Sequence, residues 1–271
     1  MRKFSSNRGV AEKAGETTVL TLAGKSAIVT GGGSGIGRAA AIVLAREGAR
    51  VMIGDVSEPD AVETVRMIRE NRGEADCIKC DVARAADADA LVAAAVSKFG
   101  RLDCAFNNAG IAGAQRKTAD YPEDEWDRIM AINLKGVWLC MRAEIRQFLA
   151  QKSRGAIVNT ASAAGLVASH SMPAYTAAKH GVVGLTKCAA IEYARASIRI
   201  NDVCPGVVDT PLVAHMIAEQ PKLAGRLDQV EPVGRKARAE EIAEAVAWLL
   251  TDAASFVTGA SISVDGGLTA V

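Results

Sequence analysis

Tyr175 and Lys179 stand four residues apart in a helical stretch near 173–195, so both project from one helix face. A phenol is a poor acid–base group at neutral pH because its ordinary pKa is near 10. A cation beside it favours the phenolate, which makes the pair a candidate proton-transfer device. Taken alone, Y-x-x-x-K is a common accident. Ser162 follows an apolar run at 156–161, and a hydroxyl at a strand's C-terminal end would face a ligand crevice. Asn133 lies inside a helix expected over 123–151, which opens well with Pro122 and then Glu123, Asp124 and Glu125. Asn is a mediocre helix former and Gly136 is a worse one. Two such residues in an apolar stretch predict a local distortion with a purpose, such as holding a water.

A second group of residues points to a dinucleotide. Thr30-Gly31-Gly32-Gly33-Ser34-Gly35-Ile36-Gly37 falls between the first strand of the alternating series and its helix. Glycines there let the turn close and bring backbone N–H groups to a pyrophosphate at the positive helix N-terminus. Asp55 ends the next strand, 18 residues after Gly37, where a carboxylate can accept both hydroxyls of an adenosine ribose. It would also face a 2′-phosphate. Two unit charges at about 4 Å in an effective dielectric near 20 repel by roughly 4 kcal/mol, and a third of that gives about tenfold discrimination. The residues therefore favour NAD over NADP.

The elements that position these groups are legible from residue 24 onward. Apolar strand-like runs at 26–30, 50–55, 76–80, 104–107, 156–161, 199–204 and 261–264 alternate with helical stretches near 35–48, 58–72, 84–99, 123–151, 173–195 and 239–251. This alternation predicts right-handed crossovers and a seven-stranded parallel sheet covered by helices on both faces, an α/β doubly wound, Rossmann-like fold. The strand runs are continuously apolar, as two-sided burial requires. No linker divides 22–271, which reads as one catalytic domain, and 1–21 reads as a mobile arm. The stretch 207–236, with Pro211, Pro221 and Pro232, has no clean strand or helix pattern and reads as a binding lid.

Composition narrows the function classes. Lys and Arg number 32 against 31 Asp and Glu, a balance that provides no field for nucleic acid or an anionic membrane. No run approaches the roughly 20 apolar residues of a membrane helix, and no apolar segment follows the basic residues of the N-terminus as a secretory signal requires. The six cysteines are scattered through apolar segments, consistent with reduced thiols in the cytoplasm. Cys77 and Cys80 form a C-x-x-C, but in a strand-like run and not at a helix N-terminus where a thiol pKa falls. His170, His180 and His215 have no metal-ligand spacing with them, so no metal is expected.

Together these motifs resemble the short-chain dehydrogenase/reductase family over residues 22–268. The resemblance rests on TGGGSGIG at 30–37, Asp81-Val82, Asn107-Asn108-Ala109-Gly110, Asn133, Ser162, Tyr175-x-x-x-Lys179, and Pro205-Gly206 followed by Thr210. It implies an NAD-dependent oxidoreductase interconverting a secondary alcohol and its ketone. Tyr175 would exchange the hydroxyl proton, and Lys179 would lower the tyrosine pKa and hold the nicotinamide ribose. Ser162 would bond the substrate oxygen, and Asn133 would hold a water linking Lys179 to solvent. Gly31, Ser34, Gly35, Ile36 and Gly37 would line the pyrophosphate turn. Asp81 and Val82 would flank the adenine, with Asn108, Ala109 and Gly110 nearby, while Pro205, Gly206, Val208 and Thr210 would lie at the nicotinamide. NADP-using relatives carry a basic residue in the turn or after the second strand; here those places hold Ser34 and Val56, and Arg38 is the nearest cation. Relatives of this length commonly form homotetramers through the helices holding Asn133 and Tyr175 and the C-terminal strand.

For the substrate wall the sequence offers Pro211, Leu212, Met216, Ile217 and Leu223, with Ala164 and Leu166 after the serine. Lys222 and Arg226 lie in the same segment. These side chains point to a mostly apolar small-molecule alcohol or ketone, including a cyclic alcohol or diol. The close alternative is a 3-oxoacyl thioester reductase-like enzyme, against which Asp55 argues because those enzymes mostly use NADP. The alternative of another class is a non-catalytic NAD-binding scaffold or sensor, and the presence of both Tyr175 and Lys179 speaks against it.

Overall fold

The computed structural model describes residues 10–13, 16–19, 21–219, 225 and 230–270. Within the segment read as an arm, β1 (Val10–Lys13) pairs antiparallel with β2 (Glu16–Val19). The alternating series then follows. It runs β3 (Ser26–Thr30), α1 (Gly35–Arg46), β4 (Arg50–Asp55), α2 (Glu58–Glu70), β5 (Glu74–Lys79), α3 (Ala85–Phe99) and β6 (Cys104–Asn107). The second half runs α4 (Glu123–Met130), α5 (Val137–Gln151), β7 (Gly155–Thr160), α6 (Pro173–Tyr193), β8 (Ile198–Pro205), α7 (Pro211–Glu219), α8 (Ala239–Leu250) and β9 (Ser261–Val264).

The seven strands β3 to β9 form one parallel sheet in the order β5-β4-β3-β6-β7-β8-β9, as the alternation predicts. Chain order reverses between β3 and β6, and the crevice beyond the strand ends at such a switch point is where open α/β sheets bind ligands. The central strands β3 and β7 are buried at every residue, which explains their apolar middles, Ala27–Val29 and Ala156–Val158. Two cores result. One packs Ala40, Val43 and Leu44 of α1 and Ile242, Val246 and Leu249 of α8 against Val29, Ile53 and Val158. The other packs Leu91 of α3, Leu139 and Phe148 of α5 and Ala189 of α6 against Ile28, Ala105 and Ile157.

Many boundaries shift by one or two residues from the sequence reading, and three differences have a reason in the fold. The third strand of the sheet spans Glu74–Lys79 and not 76–80, because its register on Arg50–Asp55 begins at Glu74. The helix expected over 123–151 is broken into α4 and α5 by a π-helical turn, Ala131–Gly136, centred on the two poor helix formers. A Cβ on Gly136 would stand 2.8 Å from Val82 Cγ2, so glycine lets this turn approach the loop after β5. The stretch read as an irregular lid begins with the regular helix α7, whose N-terminal Pro211 suits a first-turn position. Lys222, Leu223 and Arg226 lie outside the described residues.

Candidate active site

The glycine turn is shaped by backbone contacts. Gly31 and Gly35 adopt φ of +63° and +51°, the left-handed region that favours glycine. Gly37 is in an ordinary helical position, but a Cβ on it would stand 2.0 Å from the Gly31 carbonyl oxygen. The turn and α1 therefore meet backbone to backbone. Thr30, at the end of β3, accepts with Oγ1 from the N–H groups of Asn108 (2.9 Å) and Ala109 (3.1 Å). The Asn108 amide in turn donates to Thr30 O and Gly31 O, each at 3.2 Å. These bonds lock the ends of β3 and β6 together across the switch point. In the sequence Thr30 reads only as the start of the glycine motif, and this bridging role is missed, since a strand-end Thr is also a good β former.

Asp55 sits at the far side of the turn. Its Oδ2 accepts from Gly33 N at 2.8 Å and its Oδ1 from Ser57 N at 2.9 Å. Each carboxylate oxygen has further lone-pair capacity, so the group is oriented yet still able to accept ribose hydroxyls. Arg38, the nearest cation by sequence, is turned away from that role. Its guanidinium donates to the Gly33 carbonyl and, at 3.0 Å, to Thr64 Oγ1.

On the other side of the switch point, Ser162 follows β7 in extended backbone and its Oγ accepts from Ala164 N at 3.1 Å. The same hydroxyl hydrogen-bonds the Tyr175 phenol. Lys179 is buried one helical turn along α6 and donates from Nζ to Thr160 O at 2.7 Å, with Nζ 5.6 Å from the Tyr175 ring centroid. Burial moves both titrations away from their ordinary values. It pushes the lysine down to about 8, opposed by Cys204 and Asp202 on β8. It raises the phenol, opposed by the Ser162 hydrogen bond. In the protein by itself desolvation outweighs the opposing effect of Ser162, so the phenol stands above its ordinary value.

Asn133 is fully buried in the π-helical turn, and its amide is committed at both ends. Oδ1 accepts from Ile111 N at 2.9 Å and Nδ2 donates to Ile111 O at 2.8 Å. It thus pins the loop after β6 to the helix. A Cβ on Gly110 would stand 3.3 Å from Asn133 Oδ1 and 3.7 Å from Lys179 Nζ. Glycine there leaves a gap with polar atoms on two sides, the setting a bridging water needs.

A single cleft of about 880 Å³ collects nearly all of these residues. Gly31, Ser34, Gly35, Ile36, Asp55, Asp81 and Val82 line it, together with Asn108, Ala109 and Gly110. Ser162, Tyr175, Lys179, Pro205, Gly206, Val208 and Thr210 line it from the other half of the sheet. Gly37 and Asn133 are not on its surface and act from behind it. Of the residues expected for a substrate wall, Ala164, Pro211, Leu212 and Met216 line the cleft, whereas Leu166 and Ile217 do not. Val167, Ser169, His170 and Met172, before α6, and Gln115, after β6, also line it and were missed. They sit in irregular loops, and no periodicity marks them.

The cradle fits a dinucleotide. Glycine replaces side chains where a pyrophosphate would press on the turn, an oriented carboxylate lies at one end, and the hydroxyl pair with its lysine lies at the other. The cysteines have no comparable setting. All six are free, and burial raises both members of the C-x-x-C, Cys80 to about 12, so neither is a ready thiolate. Among the described residues no cluster of His, Cys, Asp or Glu could hold a metal ion, and no helix is long and apolar enough to cross a membrane.

Comparison with known proteins agrees with this geometry. A family model described as enoyl-(acyl carrier protein) reductase matches residues 31–269. A 2,5-dichloro-2,5-cyclohexadiene-1,4-diol dehydrogenase of Sphingobium indicum is 43% identical over 250 residues, covering 92% of this chain and 99% of the relative. A cyclohexanol dehydrogenase of an Acinetobacter species is 46% identical over 246 residues, covering 90% and 95%. Among solved structures, that of levodione reductase superposes with a TM-score of 0.88 at 40% identity, covering 92% of this chain and 99% of that one. Similar solved chains include one with bound NAD and one with bound NADP.

Proposed function

Since this chain belongs to the short-chain dehydrogenase/reductase family, we propose that it is an NAD-dependent dehydrogenase of cyclic secondary alcohols and diols. The observation that carries the reading is the meeting, in one cleft, of the Ser162–Tyr175–Lys179 group with the glycine turn and Asp55. The relatives named for cyclohexanol and a cyclohexadienediol support the substrate class.

In this reading Ser162 holds the substrate oxygen, and Tyr175 accepts the hydroxyl proton at its phenolic oxygen as the alcohol becomes a ketone. Lys179 stays cationic below about pH 8 and steadies the phenolate that must form. NAD, when bound, supplies the acceptor for the hydride, and the protein supplies position and charge. Gly31, Ser34, Gly35 and Ile36 would hold its pyrophosphate, Asp55 its adenosine ribose, Asp81 and Val82 its adenine, and Val208 and Thr210 its nicotinamide. Preference for NAD over NADP follows from Asp55 and from the commitment of Arg38 to Gly33 and Thr64. The apolar wall of Ala164, Val167, Leu212 and Met216 suits a carbocyclic ring.

The chain is further proposed to work as a cytoplasmic homotetramer. The helices that would pair carry exposed apolar residues, Trp138 on α5 and Ile191 on α6. The test of the cofactor reading is steady-state oxidation of cyclohexanol-type alcohols with each cofactor. A kcat/KM about tenfold or more higher with NAD, reduced or reversed by Asp55→Ser, is expected. Equal or better use of NADP by the parent enzyme would overturn it.

A further inference from the structure

Below the floor of the cleft, four polar residues occupy one row of the sheet. Asn107 of β6 is in register with Asn159 of β7, Asn159 with Asp202 of β8, and Asp202 with Ser261 of β9. The first three are buried, at 1% exposure or less. Hydrogen bonds join the row to the helices above it. The Asn107 amide donates to Glu144 Oε2 of α5 and to Asn159 Oδ1, both at 3.0 Å. The Asn159 amide donates to Thr186 Oγ1 of α6 at 2.9 Å. Asp202 accepts from Ser261 Oγ at 3.0 Å, from Cys204 Sγ at 3.2 Å and from the Thr186 hydroxyl.

Two rungs of this ladder are amides, so the architecture needs hydrogen bonds and not charge. A carboxylate with no exposed surface is costly to bury unless its charge meets another. Lys179 reaches the same stretch of β8 through β7: its Nζ donates to Thr160 O, and Thr160 is in register with Val203, between Asp202 and Cys204. Cys204 lies two residues further along β8 on the same strand face, towards the site. Its sulfur accepts from the Ser162 N–H and is packed with Val182 and Val183 of α6. Lys179 and Thr186 are seven residues apart, two turns along one face of that helix.

We propose that Asp202 is a positioning residue for the reaction, the buried counter-charge that, across Cys204, keeps Lys179 protonated in its desolvated place. This rests on the reading of Lys179 given above. The groups facing Lys179 are Tyr175 on its own helix, Thr160 O and Ser162 from β7 and the turn after it, Asn133 Oδ1 beyond Gly110, and Cys204 and Asp202 from β8. Burial raises the Asp202 carboxyl, opposed by Cys204, Ser261 of β9, the exposed Lys187 of α6 and the buried Thr186 of α6, which face it. Lys179 is the buried cation among them, and removing the carboxylate makes its ammonium lose the proton at lower pH.

The test follows two pH profiles in Asp202→Asn, Asp202→Ser and Asp202→Glu: kcat/KM for alcohol oxidation, and the Kd of NADH by fluorescence in the absence of alcohol. In the two neutral variants the alkaline limb of both profiles, near pH 8 in the parent, should move down by about half a unit or more. Near pH 6, where Lys179 is protonated in either protein, the parental values should return. Asp202→Glu should keep the parental limb. Folded neutral variants with an unmoved limb, or with the same loss at every pH, would overturn the proposal, as would failure of both to fold. If the parent oxidises no alcohol with either cofactor, the proposed function falls, and the NADH profile still decides the role of Asp202.

Discussion

The two sides of the cleft are built by different means. The dinucleotide side, between β3 and β4, is made by backbone: Gly31 and Gly35 at positive φ, Gly37 against the Gly31 carbonyl, and Asp55 held by two N–H groups. The substrate side is made by side chains from irregular loops and α7, with Val167, His170, Met172, Leu212 and Met216 on its surface. Backbone contacts tolerate few residue types, whereas an apolar wall accepts many side chains of similar volume. One side should therefore respond to substitution sharply and the other gradually.

The largest expected effect is on the backbone-built side. Gly37→Ala places a Cβ 2.0 Å from a carbonyl oxygen that cannot move without opening the turn. NADH affinity should fall by about 100-fold, roughly 3 kcal/mol. An alanine variant that binds NADH normally would break the comparison. On the wall, Leu212→Ala and Met216→Ala widen the cleft and remove apolar surface from it. They should raise KM for a cyclohexanol-type alcohol by only about two- to tenfold, roughly 0.4–1.4 kcal/mol, since a small ring covers only part of each partly exposed side chain. NADH affinity should stay unchanged, and a hundredfold loss there would show the wall to be as exacting as the turn.

A smaller effect, confined to stability, is expected behind the cleft. Burial lifts the Glu144 carboxyl to about 8, opposed by the Asn107 amide. A carboxyl raised in the folded state is fully compatible with folding below its unfolded pKa. It loses stability as pH rises from about 4.5 through the folded value. Glu144→Gln keeps an acceptor for Asn107 and removes that loss. Its Tm should match the parent near pH 5 and exceed it by several degrees near pH 9, where the ionised glutamate costs a few kcal/mol. A variant with the parent's pH dependence would show that folding does not raise the Glu144 carboxyl above its unfolded value.

The same contrast explains what the sequence discloses. Glycines and Asp55 are legible because few residue types satisfy the backbone positions they occupy. Tyr175 and Lys179 are legible because helical spacing alone places them together, and Asn133 with Gly136 because two poor helix formers in an apolar stretch foretell the π-helical turn. The hidden features depend on contacts between distant segments. Asp202 reads as an isolated polar residue in a strand, and only the sheet register brings it beside Asn159 and Ser261. Loops 167–172 and Gln115 carry no period, so their place on the cleft follows from the fold and not from any local pattern. α7 was obscured by the prolines of its segment, although Pro211 begins the helix.

The most direct test of the account is NAD reduction with a cyclic secondary alcohol by the parent enzyme and by Tyr175→Phe, each with its NADH affinity measured alongside. The account predicts turnover by the parent and a loss of about 10³-fold in kcat in the variant, within the range of general acid–base catalysis, at unchanged NADH affinity. Parental turnover in Tyr175→Phe would contradict it.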